Sequence, residues 1–223
     1  MDKLKQLCEF EGNLSFVNCA GFDWGDSISI VGSSGILSRR NDAKDIDSND
    51  SVMRFNHAKT EGFENVCGKK TTIVLVNNHA LELISNINLR KEFESKHPEC
   101  KWDYIYDLKN LNIILRPDYP DRHRLTIKKV CENNNVAIIT KKADHLARTL
   151  LDKMPSCGFS GLMIAIEYCE KINCYGFNFN QDPSVDKHYF EKGHQTVGGC
   201  HDFLKEQEIF KKLHDTERIT LNY

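Results

Sequence analysis

The 223-residue chain has no run approaching the roughly 18 consecutive apolar residues that a membrane span requires. Its first 25 residues lack the charged start and apolar core of a secretory signal, so the chain as given is expected to be soluble. A basic excess is also missing. Thirty Lys and Arg against 32 Asp and Glu leave a formal charge of −2, which gives nucleic-acid binding no electrostatic support. The pairs Lys128-Lys129 and Lys141-Lys142 read as solvated faces. Prolines number only five, and no repeat or low-complexity tract interrupts the chain, so a domain boundary has no place to fall. One domain over 1–223 is expected, with 1–26 as an N-terminal extension. The nine cysteines, at positions 8, 19, 67, 100, 131, 157, 169, 174 and 200, contain no C-x-x-C pair. An odd, scattered set argues against a zinc ribbon and against a complete disulfide framework, and points to a reducing compartment.

Apolar segments alternate in character along the chain. Short apolar-rich runs at 27–31, 72–76, 104–107, 112–115, 136–140 and 172–177 predict strands. Between several of them, 79–95, 122–133, 143–153 and 159–170 carry apolar residues at three- and four-residue spacing, as with Leu146, Leu150 and Leu151, and predict helices. Strands separated by helices imply an α/β fold with a largely parallel, doubly covered sheet and ligands at the carboxyl ends of its strands.

Several residues stand where chemistry could occur. Gly32-Ser33-Ser34-Gly35 follows the first strand and lets the backbone turn tightly while offering N–H groups and two hydroxyls to a polar ligand, or it simply connects two elements. Pro155-Ser156-Cys157-Gly158 precedes a helix that Ser156 can cap. The N–H groups and positive dipole end there suit a carboxylate or phosphate. Gly176, at the end of the 172–177 run, allows close backbone approach to a ligand. Near the end of the chain lie His188-Tyr189-Phe190-Glu191 and His201-Asp202-Phe203-Leu204-Lys205-Glu206. An imidazole of ordinary pKa, about 6.5, is mostly neutral at pH 7 and can take a proton from a hydroxyl. A zinc site built on His188, His194, Cys200 and His201 lacks the spacing of zinc motifs; exposed loop histidines are the other reading.

Taken together, these blocks resemble the eukaryotic-type sialyltransferases, glycosyltransferase family 29. The large motif resembles 28–77, with IVGSSG, IDSNDSVMRFN and GFENVCGKKTT; the small motif resembles PSCGFSGLMIAIEYCEKINCYGF at 155–177. HYFE at 188–191 resembles the third motif, and His201 with Glu206 the very short motif. The resemblance covers about half of the chain and leaves 78–154 unmatched. It implies a single-domain GT-A-like variant of the Rossmann-like α/β fold. The implied activity is inverting, metal-independent transfer of sialic acid from CMP-sialic acid to a glycan hydroxyl, on terminal galactose or N-acetylgalactosamine, with no cofactor. By position, Ser33 and Ser34 fall in the nucleotide turn and Asn56 and Asn77 match the donor-site asparagines. Ser156, Cys157, Gly158 and Gly176 fall where the family holds the donor, His201 matches the general base, and His188 matches the histidine that bonds the departing phosphate.

The chain also departs from that pattern. Cys169 matches a cysteine whose disulfide partner position is Ile28 here, so that bridge cannot form, and with no anchor segment a soluble, reduced setting is expected in place of the family's Golgi lumen. Cys157 replaces a hydroxyl residue. Asp45-Ile46-Asp47 could bind a divalent cation, but it falls at the large motif's acidic position, and no metal is expected. Five residues separate His201 from Glu206, about 140° around a regular helix, so Glu206 orients the base only from a turn or helix start; packing is the alternative. A CMP-binding module without transfer activity and a transferase of another CMP-activated acidic sugar, such as Kdo, are the competing readings.

Overall fold

The computed structural model describes residues 21–98, 102–116, 120–139, 141–179, 181–191 and 199–222. Most of the expected N-terminal extension, together with Cys8, Cys19, Cys100 and His194, lies outside the described residues. The strands are β1 (Ser27–Val31), β2 (Ser51–Phe55), β3 (Ile73–Asn77), β4 (Asn112–Arg116), β5 (Asn135–Ile138), β6 (Lys171–Tyr175) and β7 (Thr220–Leu221). Among the described residues they form one seven-stranded sheet in the order β5-β4-β3-β2-β1-β6-β7, with each of these pairings parallel. Helices α1 (Ala43–Ser48), α2 (Glu64–Cys67), α3 (Asn78–Ser85), α4 (Ile87–Lys96), α5 (Arg124–Cys131), α6 (Lys141–Leu151), α7 (Cys157–Tyr168) and α8 (Phe203–Asp215) accompany it. This is the α/β class expected from the sequence.

The strands are apolar on both faces because both faces are covered. Ile28, Ile30, Met53, Phe55, Ile73 and Leu75 point to one side, where they pack with Phe159, Leu162 and Ile164 of α7 and with Phe210 and Leu213 of α8. Val74, Val76, Ile113 and Leu115 point to the other, against α3 and α5. Val31 and Val52 meet Leu37, Ile46 and Tyr189 there. Helix α7 is buried from Gly158 to Ala165, being covered by the sheet on one side and by α8 on the other. No helix among the described residues is long and apolar enough to cross a membrane.

Several elements differ from expectation, and three of the differences have a clear local cause. The 104–107 run is a 3-10 helix, Trp102–Tyr106, because a single buried residue, Ile105, needs to face the α3 side while Tyr104 and Tyr106 pack at its margin. The expected 79–95 helix is broken at Asn86, whose side-chain oxygen accepts from the Asn88 and Leu89 N–H groups at 3.1 Å and starts a second helix. Strand β2 escaped the sequence reading because Arg54 interrupts its apolar run. The guanidinium is 2% exposed and donates to the carbonyls of Cys67 and Lys70 and to the Thr71 hydroxyl, so a charged residue serves as an interior clamp on the loop before β3.

The chain builds outward from β1 to β5, then returns to the far side of β1 for β6 and β7. Neighbouring connections therefore diverge between β1 and β6, the switch point at which open α/β sheets form their crevice.

Candidate active site

Residues at or just past the carboxyl ends of five adjacent parallel strands share one edge: Ser33 after β1, Asn56 after β2, Asn77 ending β3, Arg116 ending β4 and Gly176 after β6. Asn56 adopts φ 52, a left-handed conformation that asparagine tolerates, and this turns its side chain across to β3. Its Oδ1 accepts the Asn77 N–H at 3.1 Å, and its Nδ2 approaches Cys157 Sγ at 3.7 Å. The Tyr104 hydroxyl donates to the Asn56 carbonyl. Asn77 Oδ1 accepts the Ala80 N–H at 2.8 Å and caps α3. The structure thus brings Asn56, Asn77 and Cys157 together from three separate segments. Burial pushes the Cys157 thiol up, against the pull of Arg116 and of the two asparagines, so it stays protonated at neutral pH.

Helix α7 begins as expected from its cap. Ser156 Oγ accepts the Phe159 N–H at 3.1 Å. The same hydroxyl donates to Glu206 Oε2 at 2.6 Å, while the Ser156 N–H donates to Oε1 at 2.7 Å. Glu206 is therefore the anchor of the α7 N-terminus and does not hydrogen-bond His201. It is 2% exposed, and burial pushes its carboxyl up to about 7, although the Ser156 bonds and Arg116 oppose this.

His201 stands two residues before α8. Its Nδ1 lies 2.8 Å from the Met154 carbonyl, and a carbonyl can only accept, so the proton sits on Nδ1 and the neutral ring carries its lone pair on Nε2. Burial lowers its pKa, the Met154 bond raises it, and the charges of Arg116 and Lys187 lower it further. A neutral, basic imidazole at pH 7 follows. Lys187, whose charge bears on His201, is the residue before His188.

His188 Nδ1 lies 2.7 Å from Ser33 Oγ, and the Tyr189 N–H donates to the Ser33 carbonyl at 2.9 Å. The ring stacks parallel on Phe190 with centroids 5.1 Å apart, and His57, the neighbour of Asn56, packs edge-on against the same Phe190. Glu191 Oε2 stands 3.9 Å from His188 Nε2. These contacts join the histidine loop to the β1 turn and to the end of β2.

The turn itself differs from expectation. Gly32 N–H donates to the Tyr175 carbonyl, Ser34 N–H to Gly176 and Gly35 N–H to Asp186, at 2.8, 3.3 and 3.0 Å, so these amides hold the chain together and are not offered outward. Ser34 Oγ accepts from Ile36 N–H as a cap. Ser33 is left as the turn residue whose N–H makes no such bond among the described residues. Gly176, with φ +71, packs directly on Gly32: a Cβ there would lie 2.6 Å from the Gly32 carbonyl, and one on Gly32 would lie 2.4 Å from the Gly176 carbonyl. The close approach expected of Gly176 is therefore to β1's own turn. Gly158 faces the Phe177 ring, which a Cβ would meet at 2.5 Å.

Asp47 accepts the Lys69 and Lys70 N–H groups at 3.0 and 2.9 Å, just before β3. It therefore sits at the amino edge of the sheet, opposite Asn56 and Asn77, and its lone pairs serve the backbone. The described residues hold no group of three or more His, Cys, Asp or Glu suited to a metal ion. Cys169 is a free, buried thiol pushed up to about 12 by burial, and Ile28 is fully buried.

Sequence reasoning passed over Arg116. The available signal was an arginine closing the buried run Asn112-Ile113-Ile114-Leu115, at the edge where ligands bind.

The chain is similar in sequence and in fold to known proteins. Beta-galactoside alpha-2,6-sialyltransferase 2 of Takifugu rubripes is 26% identical over 238 residues, covering 94% of this chain and 40% of that protein. Its Homo sapiens counterpart is 28% identical over 206 residues, covering 84% and 38%. Alpha-N-acetylgalactosaminide alpha-2,6-sialyltransferase 2 of Mus musculus is 27% identical over 229 residues, covering 91% and 59%. The chain thus spans about two-fifths of the length of the first of these relatives. Among solved structures, a mammalian sialyltransferase superposes with a TM-score of 0.64 at 18% identity, over 99% of this chain and 78% of that one, a likeness of fold. The family model described as glycosyltransferase family 29 (sialyltransferase) matches residues 25–218, and the chain belongs to that family.

Proposed function

We propose that this chain transfers sialic acid from CMP-sialic acid to a glycan hydroxyl with inversion and without a metal. The observation that carries the reading is His201, whose Nδ1 is committed to the Met154 carbonyl so that Nε2 is the basic nitrogen. In the reaction the acceptor oxygen bonds to the anomeric carbon as the bond from that carbon to the phosphate oxygen breaks. CMP leaves with the electron pair, and His201 Nε2 takes the acceptor proton. Because CMP is a good leaving group, the transition state needs a stabilised phosphate and a deprotonating acceptor more than it needs acid assistance. His188, oriented by Ser33 Oγ and stacked on Phe190, supplies the hydrogen bond to the phosphate. Asn56, Asn77 and the α7 N-terminus at Ser156, Cys157 and Gly158 hold the nucleotide and the donor's carboxylate.

The relatives named above act, by their names, on beta-galactosides and alpha-N-acetylgalactosaminides through alpha-2,6 linkages. That supports a galactose or N-acetylgalactosamine acceptor. Incubation with CMP-sialic acid and mixed glycan acceptors is expected to release CMP and give an α-linked product, unchanged by a chelator. Absence of turnover with every acceptor overturns the reading. One observation favours a second reading, a CMP-binding module without transfer: Cys157 places a protonated thiol where a hydroxyl would serve the donor better. Under that reading CMP binds and His201→Ala changes nothing.

A further inference from the structure

Arg116 closes β4 and is paired in register with Asn77 on β3. It is buried at 7% exposure, yet its three donor nitrogens are all placed. Nη1 donates to the Pro155 carbonyl at 2.9 Å, and Nε and Nη2 donate to Asp144 Oδ1 at 2.9 and 2.5 Å. Pro155 lies between Met154, whose carbonyl holds His201, and Ser156, which caps α7 and is held by Glu206. One guanidinium thus grips the middle of a three-residue segment whose flanks carry the candidate base and the candidate donor helix. A neutral donor would suffice to hold the Pro155 carbonyl. Burying a permanent charge there is costly and requires Asp144 as a compensating partner, which points to a use for the charge.

We propose that Arg116 is a positioning residue for both halves of the site, fixing segment 154–156 and setting a permanent positive charge beside it where the anionic donor is received. This rests on the transfer reading above. The charge reaches the groups that matter: Arg116 lowers the pKa of His201, of Cys157 and of Glu206. Other charged or titratable groups around His201 are Lys187 from the histidine loop, Cys200, Asp202 and Glu206 from its own segment, and the Asp152–Lys205 pair at 2.5 Å between the end of α6 and α8.

The test is NMR titration of the His201 side chain in the wild type, Arg116→Gln, Arg116→Lys and Asp144→Asn, with donor KM and kcat measured alongside. In Arg116→Gln, His201 titrates at higher pH than in the wild type, and KM for CMP-sialic acid rises about tenfold. Arg116→Lys leaves the titration near the wild type but still raises KM, because one ammonium does not reach both Pro155 and Asp144. Asp144→Asn removes the compensating negative charge and moves the titration to lower pH. Identical His201 titration in Arg116→Gln and Asp144→Asn overturns the proposal. Should Arg116→Gln not fold, the direction of the Asp144→Asn shift decides. A wild type that neither binds CMP nor turns over donor defeats the transfer reading, while the titrations still report on Arg116.

Discussion

Glu206 holds Ser156 by two hydrogen bonds, one to each carboxylate oxygen, at 2.7 and 2.6 Å across fifty residues of sequence. Burial raises its carboxyl from the ordinary 4.5 to about 7. A folded-state pKa above the unfolded one contributes stability that is complete below the unfolded value and is lost as pH climbs through the folded value. The window is therefore about pH 4.5 to 7. Denaturation at pH 5 and pH 8 should show the wild type losing on the order of 3 kcal/mol relative to Glu206→Gln, which does not titrate. Equal slopes for the two proteins would remove the buried carboxyl from the account.

Rate against pH should report on His201. In the proposed reaction the neutral ring takes the acceptor proton, and burial lowers its pKa, so kcat/KM should be flat at neutral pH and fall only below the usual imidazole range. His201→Ala should lose roughly 10²–10⁴ in kcat and abolish that acidic limb. A limb that persists in the alanine variant assigns the base elsewhere.

Ser33 Oγ and His188 Nδ1 are joined by a 2.7 Å contact, so the two side chains are expected to act as one unit. His188→Ala should lower kcat about 100-fold, as loss of a transition-state hydrogen-bond donor does. Ser33→Ala should cost about tenfold alone and little more in the His188→Ala background. Additive losses in the double variant would show that the serine works independently.

Cys157 offers a gain. Its thiol is a poor partner for Asn56 at 3.7 Å, and Cys157→Ser supplies a hydroxyl at the same place. Donor KM should fall about fivefold, the worth of one modest hydrogen bond, with Cys157→Ala showing no such gain. If the serine and alanine variants match, residue 157 does not face the donor.

Gly176→Ala should destabilise the fold by at least about 2 kcal/mol, because φ +71 is strained for alanine and the added carbon meets the Gly32 carbonyl. Thermal unfolding gives the measurement. An unchanged melting temperature would mean that the β1 and β6 turns can part without cost.

Much of this was legible in the chain. Runs such as 27–31 and 112–115 are mainly apolar because their strands are buried on both faces, with Ser29 and Asn112 as buried polar members, and Ser156 announced the start of α7 with its own side chain. Strand β2 was hidden by Arg54, whose Nη2 donates to carbonyls 13 to 16 residues away. Helix α8 was not read because the His201–Glu206 block invited a reading as chemistry, although Ile209, Phe210 and Leu213 supply a buried stripe.

The sequence by itself determined the alternation of strand and helix, the helix cap at Ser156, and the order of the blocks that carry Ser33, Asn56, Asn77, His188 and His201. All of these depend on neighbours a few positions apart. Tertiary structure alone decided that Glu206 serves Ser156, that Arg116 grips Pro155, and that Gly176 lies on Gly32. Those pairings join polar atoms or backbones from different strands and helices. Strand order, and not local pattern, sets which of them can meet.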